Sequence, residues 1–232
     1  MKPKDRLIFA LDVADLAAAR RYCELLEGEV GLFKVGLELF LAAGPQAVRE
    51  VAGFGRVFLD LKLHDIPETV RRAARQAATL GAAMLTVHAE SERLLAAAVE
   101  GAAHTRVFAV TLLTSTSAAE AGKLCPLTPS EIVLARAAMA QAAGCAGVVC
   151  APTETARVKA AFPGLLVINP GIRPAWAAEL ADQMRVSTPA EAIRAGADYL
   201  VVGRPIRDHS SPRQAARLIC EEIAAGLSGP AA

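Results

Sequence analysis

Eight nearly unbroken apolar runs punctuate this chain, at residues 7–13, 31–36, 56–62, 84–88, 106–113, 147–150, 166–170 and 199–203. A strand with one wet face alternates polar and apolar residues. A continuous apolar run instead needs cover on both faces, as in a parallel sheet wrapped in helices. Ala-rich stretches with helical character separate the runs. Glycines stand where a helix needs a left-handed exit before the next strand, at Gly81, Gly144 and Gly196. Thr128-Pro-Ser-Glu131 and Thr188-Pro-Ala-Glu191 each read as a capping box with proline at the first helical position. Eight strand–helix units within 232 residues predict an α/β fold, a single (β/α)8 TIM barrel spanning 1–232 with a frayed tail after Leu227. A doubly wound open sheet is the competing architecture. It usually carries fewer strands and a glycine-rich first turn, whereas the first turn here, 10–14, has no glycine.

Composition narrows the function classes. Hydrophobic residues at 53% and charged residues at 21% exclude a disordered or fibrous chain. A formal net charge of +1 provides no bulk attraction to nucleic acid or to an acidic membrane, and aromatics at 4% leave few platforms for stacking bases. The Ala-rich run near 137–151 is interrupted by Gln141, Gly144 and Gly147 and is not read as a membrane span. The five cysteines are odd in number and none forms a C-x-x-C pair. With an N-terminal segment that lacks a signal-peptide pattern, they predict reduced thiols in a cytoplasmic protein.

In a barrel the C-terminal ends of the strands converge on one mouth. Asp12, Lys34, Asp60, Lys62, Thr114, Arg173, Gly203 and Arg204 all fall at or just after such ends. The densest run is Asp60-Leu-Lys-Leu-His-Asp-Ile66. Strand side chains alternate, so Asp60 and Lys62 share one side while Leu59, Leu61 and Leu63 take the other. An ammonium beside carboxylates at a strand mouth is a place to hold a proton and to meet developing charge. Each of these residues taken singly also fits an interstrand ion pair. Asp65 also fits a helix N-cap with Glu68 at N3, and from beyond the strand end it could instead reach a neighbouring subunit. Two long connections, 114–128 and 171–188, follow strands and so lie on the catalytic face. Pro170-Gly-Ile-Arg173 and Gly203-Arg204 follow the seventh and eighth runs, where barrels often bind phosphate. Glycine admits the backbone to an anion, and arginine offers a two-pronged donor. The four histidines, His64, His88, His104 and His209, have no metal-ligand spacing.

Taken together, the motifs resemble the orotidine 5′-monophosphate decarboxylase family over nearly the whole chain. The resemblance rests on Ala10-Leu-Asp12, Phe33-Lys-Val-Gly36, the stretch 58–67 with Thr69, and Val87-His-Ala89. It continues through 110–115, 147–150, Pro170-Gly-Ile-Arg173, Asp182-Gln183 and 202–205. It implies decarboxylation of orotidine 5′-monophosphate to UMP and carbon dioxide, without metal or cofactor, in pyrimidine biosynthesis. By motif it makes Lys62 the proton donor to C6 and Lys34, Asp60, Lys62 and Asp65 an alternating charge array. It implies substrate contacts by Asp12, Lys34, Asp60, Ile66, Thr69, Thr114, Arg173, Gln183, Gly203 and Arg204. It also implies a homodimer in which Asp65 and Thr69 act across the interface. The Asp-x-Lys-x-x-Asp core is shared with magnesium-dependent sugar-phosphate barrels, such as 3-keto-gulonate-6-phosphate decarboxylases and hexulose-6-phosphate synthases. A non-catalytic nucleotide-binding barrel is the alternative from a different class.

Overall fold

A computed structural model describes residues 1–124, 126–180 and 187–229. Eight strands form a closed barrel in chain order. They are β1 (Leu7–Ala10), β2 (Leu32–Gly36), β3 (Arg56–Leu63), β4 (Met84–His88), β5 (Arg106–Val110), β6 (Gly147–Val149), β7 (Leu166–Asn169) and β8 (Tyr199–Val202). Every neighbouring pair is parallel, and β8 returns to β1 through Leu7↔Leu200, Ile8↔Val201 and Phe9↔Val202. The expected (β/α)8 barrel is therefore the observed fold, and each of the eight apolar runs matches one strand, β3 extending one residue past its run.

Closure divides each strand between two apolar layers. Ile8, Leu32, Phe58, Met84, Phe108, Ile168 and Tyr199 fill the barrel interior. The other parity, including Leu7, Phe9, Phe33, Val35, Val57, Leu59, Leu85, Val107, Val167 and Leu200, packs outward under the helices. Inside, Phe58, Phe108 and Tyr199 meet edge to face, with centroids 6.4 and 6.5 Å apart, a geometry that adds about 0.5–1.5 kcal/mol per pair to their burial. Advancing two residues along each inward row reaches Ala10, Lys34, Asp60, Thr86 and Val110, so the interior turns polar on the side of β2 to β4 just below the mouth.

The helices begin and end as the punctuation predicts. Thr128 and Thr188 cap Pro129–Ala142 and Pro189–Arg194, and the backbone N–H of each donates in return to Glu131 or Glu191. Gly81, Gly144 and Gly196 have φ of 81, 77 and 101°. The long connections contain short helices of their own, Ala118–Leu124 and a 3₁₀ segment Ala175–Leu180. The final helix runs Pro212–Ser228, past the expected start of the frayed tail, and 230–232 lie outside the described residues. No helix among the described residues is long and apolar enough to cross a membrane.

Candidate active site

The inward rows of β1 to β3 bring four charged side chains into one chain of contacts. Lys34 Nζ lies 2.8 Å from Asp12 Oδ1 and 3.7 Å from Asp60 Oδ2, bridging β1 to β3. Lys62 Nζ donates to both Asp60 oxygens at 2.9 Å. Charge thus alternates along Asp12, Lys34, Asp60 and Lys62. Burial penalises the Asp60 carboxylate, but the Lys62 and Lys34 ammoniums and hydrogen bonds from Lys62 and Thr86 outweigh it. They hold the carboxyl below its ordinary 3.8. Lys34 thus pairs across neighbouring strands while Asp60 and Lys62 pair within β3, and all four residues also line an open cavity of about 260 Å³.

The alternation expected along 60–63 is achieved in an unexpected way. Leu59 pairs with Leu85 and Leu63 with Val87, so Asp60, Leu61 and Lys62 all oppose the single residue Thr86. Lys62 has φ of 50°, a left-handed conformation that a non-glycine residue adopts only when its surroundings impose it. The bulge turns Lys62 over the barrel mouth, and Leu61 and Leu63 still pack against the outer core.

The rest of the cavity comes from loops after the later strands. Leu112, Leu113 and Thr114 follow β5; Pro170, Gly171 and Arg173 follow β7; Gly203 and Arg204 follow β8. Phe58, Val110, Val149 and Val201 supply apolar lining. Asn169, fully buried, fixes the exit of β7: its side-chain amide donates to Cys150 O at 3.0 Å and its carbonyl accepts from Thr155 at 2.8 Å. Gly171 then turns with φ of 74°, and the Arg173 amide donates to Ser187 O at 3.0 Å. After β8, Arg207 donates to Asp12 O at 3.0 Å, tying the last loop to the first. In a closed eight-stranded ring β3 and β7 stand opposite each other, so Arg173 faces Lys62 across the mouth.

Asp12, Lys34, Asp60, Lys62, Thr114, Arg173, Gly203 and Arg204 therefore come together as expected from their places at strand ends. Asp65, Ile66 and Thr69 do not join them. Asp65 and Thr69 line a separate depression with Leu61, Leu63, His64, Val70 and Ala73, and Lys62 forms part of both walls. Ile66 is 66% exposed. The capping reading of Asp65 is overturned: Ile66 is the N-cap of Pro67–Thr79 and makes no side-chain cap, while Asp65 accepts the adjacent Ile66 amide at 2.6 Å. Glu68 pairs with Arg71 and Arg72 instead. Gln183, with Asp182, lies outside the described residues.

Thr86 is the site residue that sequence reading missed. It is fully buried and donates to Asp60 Oδ1 at 2.9 Å. Its position two residues from Met84 on the inward row was the available signal. Beside it, the His88 ring lies 5.1 Å from the His64 ring. Burial, then the neighbouring His64, Lys62 and Arg136, lower the His88 pKa below 6.5 despite Glu90. No group of three or more His, Cys, Asp or Glu side chains among the described residues is arranged to hold a metal ion.

Known proteins are similar to this chain in sequence and in architecture. The family model described as Orotidine 5′-phosphate decarboxylase / HUMPS family matches residues 5–219. A protein of Anaeromyxobacter sp. (strain K) named orotidine 5′-phosphate decarboxylase is 55% identical over 98% of this chain and 100% of its own. One of the same name from Geobacter sulfurreducens is 45% identical, covering 96% and 98% respectively. The crystal structure of orotidine 5′-phosphate decarboxylase from Lactobacillus acidophilus superposes with a TM-score of 0.82 at 33% identity, covering 94% of this chain and 98% of that one. The alternating charge array at the mouth of this barrel thus belongs to a chain that is a member of the orotidine 5′-phosphate decarboxylase / HUMPS family.

Proposed function

We propose that this chain is a carboxy-lyase that converts orotidine 5′-monophosphate to UMP and carbon dioxide in pyrimidine biosynthesis, without metal or cofactor. The observation that carries the reading is the Asp12–Lys34–Asp60–Lys62 array inside a cavity that is also lined by Arg173, Gly203 and Arg204. A nucleotide fits that layout from end to end. Its phosphate meets the two arginines after β7 and β8. Its ribose hydroxyls meet Asp12 and Lys34, and its base edge meets Thr114, with Gln183 a further contact. The family also contains sugar-phosphate enzymes, but full-length relatives at 45–55% identity carry the decarboxylase name.

The chemistry follows from charge placement. The bond from C6 to the carboxylate carbon breaks, carbon dioxide leaves, and the electron pair stays on C6. The Lys62 ammonium, held by Asp60, stabilises that pair and then transfers a proton to C6. Lys62 is left as a neutral amine that regains a proton from solvent. One ammonium about 4 Å from such a charge, at an effective dielectric near 20, contributes roughly 4 kcal/mol before desolvation. Asp60, close to the departing carboxylate, disfavours the bound substrate relative to the transition state.

Asp65 and Thr69 act in this reading across a homodimer interface, with Ile66 a further substrate contact. Support comes from their location outside their own cavity, beside Lys62, and from exposed Leu37, Leu41, Ile66 and Leu113 near the same mouth. The partners are then a small-molecule substrate and a second copy of the chain, with no nucleic acid or membrane. The reading places the chain in the cytoplasm, which suits the free thiols of Cys23, Cys145, Cys150 and Cys220.

The test is an absorbance assay of the purified protein with orotidine 5′-monophosphate, with and without EDTA. Decarboxylation that persists in chelator is expected. No turnover of this nucleotide, or magnesium-dependent turnover of a hexulose or keto-gulonate phosphate in its place, would overturn the reading.

A further inference from the structure

The bulge in β3 gives Thr86 a task that no regular ladder would require. Asp60, Leu61 and Lys62 face this one residue, so the strand pairing that would normally fix Lys62 is interrupted. The Thr86 hydroxyl takes over. Its oxygen accepts the Lys62 backbone N–H at 2.9 Å, and its hydrogen is donated to Asp60 Oδ1 at 2.9 Å. One hydroxyl thereby holds the left-handed backbone of Lys62 and the orientation of the carboxylate that Lys62 pairs with. The side chain is wholly buried, so water has little access to replace either bond.

We propose that Thr86 is a positioning residue for proton transfer: its hydroxyl locks the Asp60–Lys62 pair into one geometry while touching no part of the substrate. The inference rests on the reading of Lys62 as proton donor. The Thr86 methyl supplies packing and the hydroxyl supplies the lock, so two substitutions separate them. Thr86→Val keeps the shape and removes both hydrogen bonds. A buried, unpaired Lys62 amide and an Asp60 that has lost one of its donors should lower kcat by about tenfold to a hundredfold. KM for orotidine 5′-monophosphate should stay within about threefold, because the phosphate grip is untouched. Thr86→Ser restores the hydroxyl and should return kcat to within about threefold of the parent. Hydrogen exchange at the Lys62 amide should quicken in the valine variant and not in the serine variant. Thr86→Ala, which also lacks the hydroxyl, carries the same expectation should valine fail to fold.

Parent-like kcat in Thr86→Val, or in Thr86→Ala where valine does not fold, would overturn the inference. So would a Thr86→Ser variant as impaired as the hydroxyl-free variant. Lys62→Ala assayed alongside separates the two levels. If it retains turnover, the proton-donor reading fails and the role of Thr86 fails with it. If it is inactive while Thr86→Val matches the parent, only the inference about Thr86 fails.

Discussion

Lys62 reaches back over a left-handed backbone to place its ammonium 2.9 Å from both oxygens of Asp60. A lysine held this way has lost most of its rotamer freedom before substrate arrives. Asp60 is tied in turn to Lys34 and Thr86, so the pair is part of a fixed electrostatic frame.

In the proposed reaction, replacing Lys62 with alanine removes both the stabilising charge and the proton. Steady-state assays should show kcat lower by at least about 10⁴-fold, at the upper end of what a general acid supplies. Binding of UMP, measured by calorimetry, should remain detectable. Turnover near that of the parent would show that the ammonium does not carry the reaction.

The charge frame also makes stability depend on pH in a stated direction. The folded protein holds Asp60 below its ordinary 3.8, so ionised Asp60 contributes stability above that value. The contribution disappears as pH falls through the folded pKa. In Asp60→Asn no such proton is taken up, so denaturant unfolding should show a shallower loss of stability below about pH 4. Parallel pH profiles for the two proteins would contradict this coupling.

The barrel was readable because its strands are apolar on both faces and its helix ends carry Thr-Pro-x-Glu boxes and left-handed glycines, all local signals. The convergence of Asp12, Lys34, Asp60, Arg173 and Arg204 followed from parity and strand direction once closure was assumed. Thr86 was not readable in the same way. Its role depends on a register break between β3 and β4, which is a property of two strands paired in space. Asp65 shows the converse. Asp65-Ile-Pro-Glu68 has the spacing of a capping box, but the helix begins one residue later, and Glu68 is engaged by Arg71 and Arg72. Arginine pairing on the helix face outweighed the local capping preference.

Arg204 follows β8 in the wall expected to hold phosphate. Its guanidinium is expected to form charge-assisted hydrogen bonds of about 1.5–3 kcal/mol each. Arg204→Ala should therefore raise KM for the nucleotide about tenfold to a hundredfold or more. The phosphate-free nucleoside orotidine offers a control, and its slow turnover should be unchanged by the substitution. An unaltered KM for the nucleotide would remove Arg204 from the phosphate site.

Gly36 stands where the array leaves no room. A Cβ there would lie 2.8 Å from Lys34 Nζ and 3.3 Å from Asp12 Oδ1. Its φ of −95° and ψ of −175° suit any residue, so the cost of alanine falls on the ammonium rather than on the backbone. Gly36→Ala should displace Lys34 from Asp12 and raise KM by about tenfold, if the pair contributes about 1.4 kcal/mol to binding. The melting temperature should move by less than about 4 °C. A large loss of stability with unchanged KM would mean that Gly36 serves packing alone.

Asp65 and Lys62 allow a test of whether one site draws on two chains. Asp65 lies outside the cavity that contains Lys62, in the depression on the other side of that lysine. If Asp65 serves the partner's site, then Lys62→Ala and Asp65→Ala homodimers should both be severely impaired. Mixing them with subunit exchange would create hybrids in which one site has lost both residues and the other has both intact. Activity should recover toward one intact site per hybrid, or about a quarter of the parent activity for random exchange of equal amounts, since half of the dimers are hybrids. If Asp65 instead serves the site of its own chain, every site in the mixture lacks one residue or the other. The mixture would then be no more active than the average of its two components, and the shared-site arrangement would be wrong.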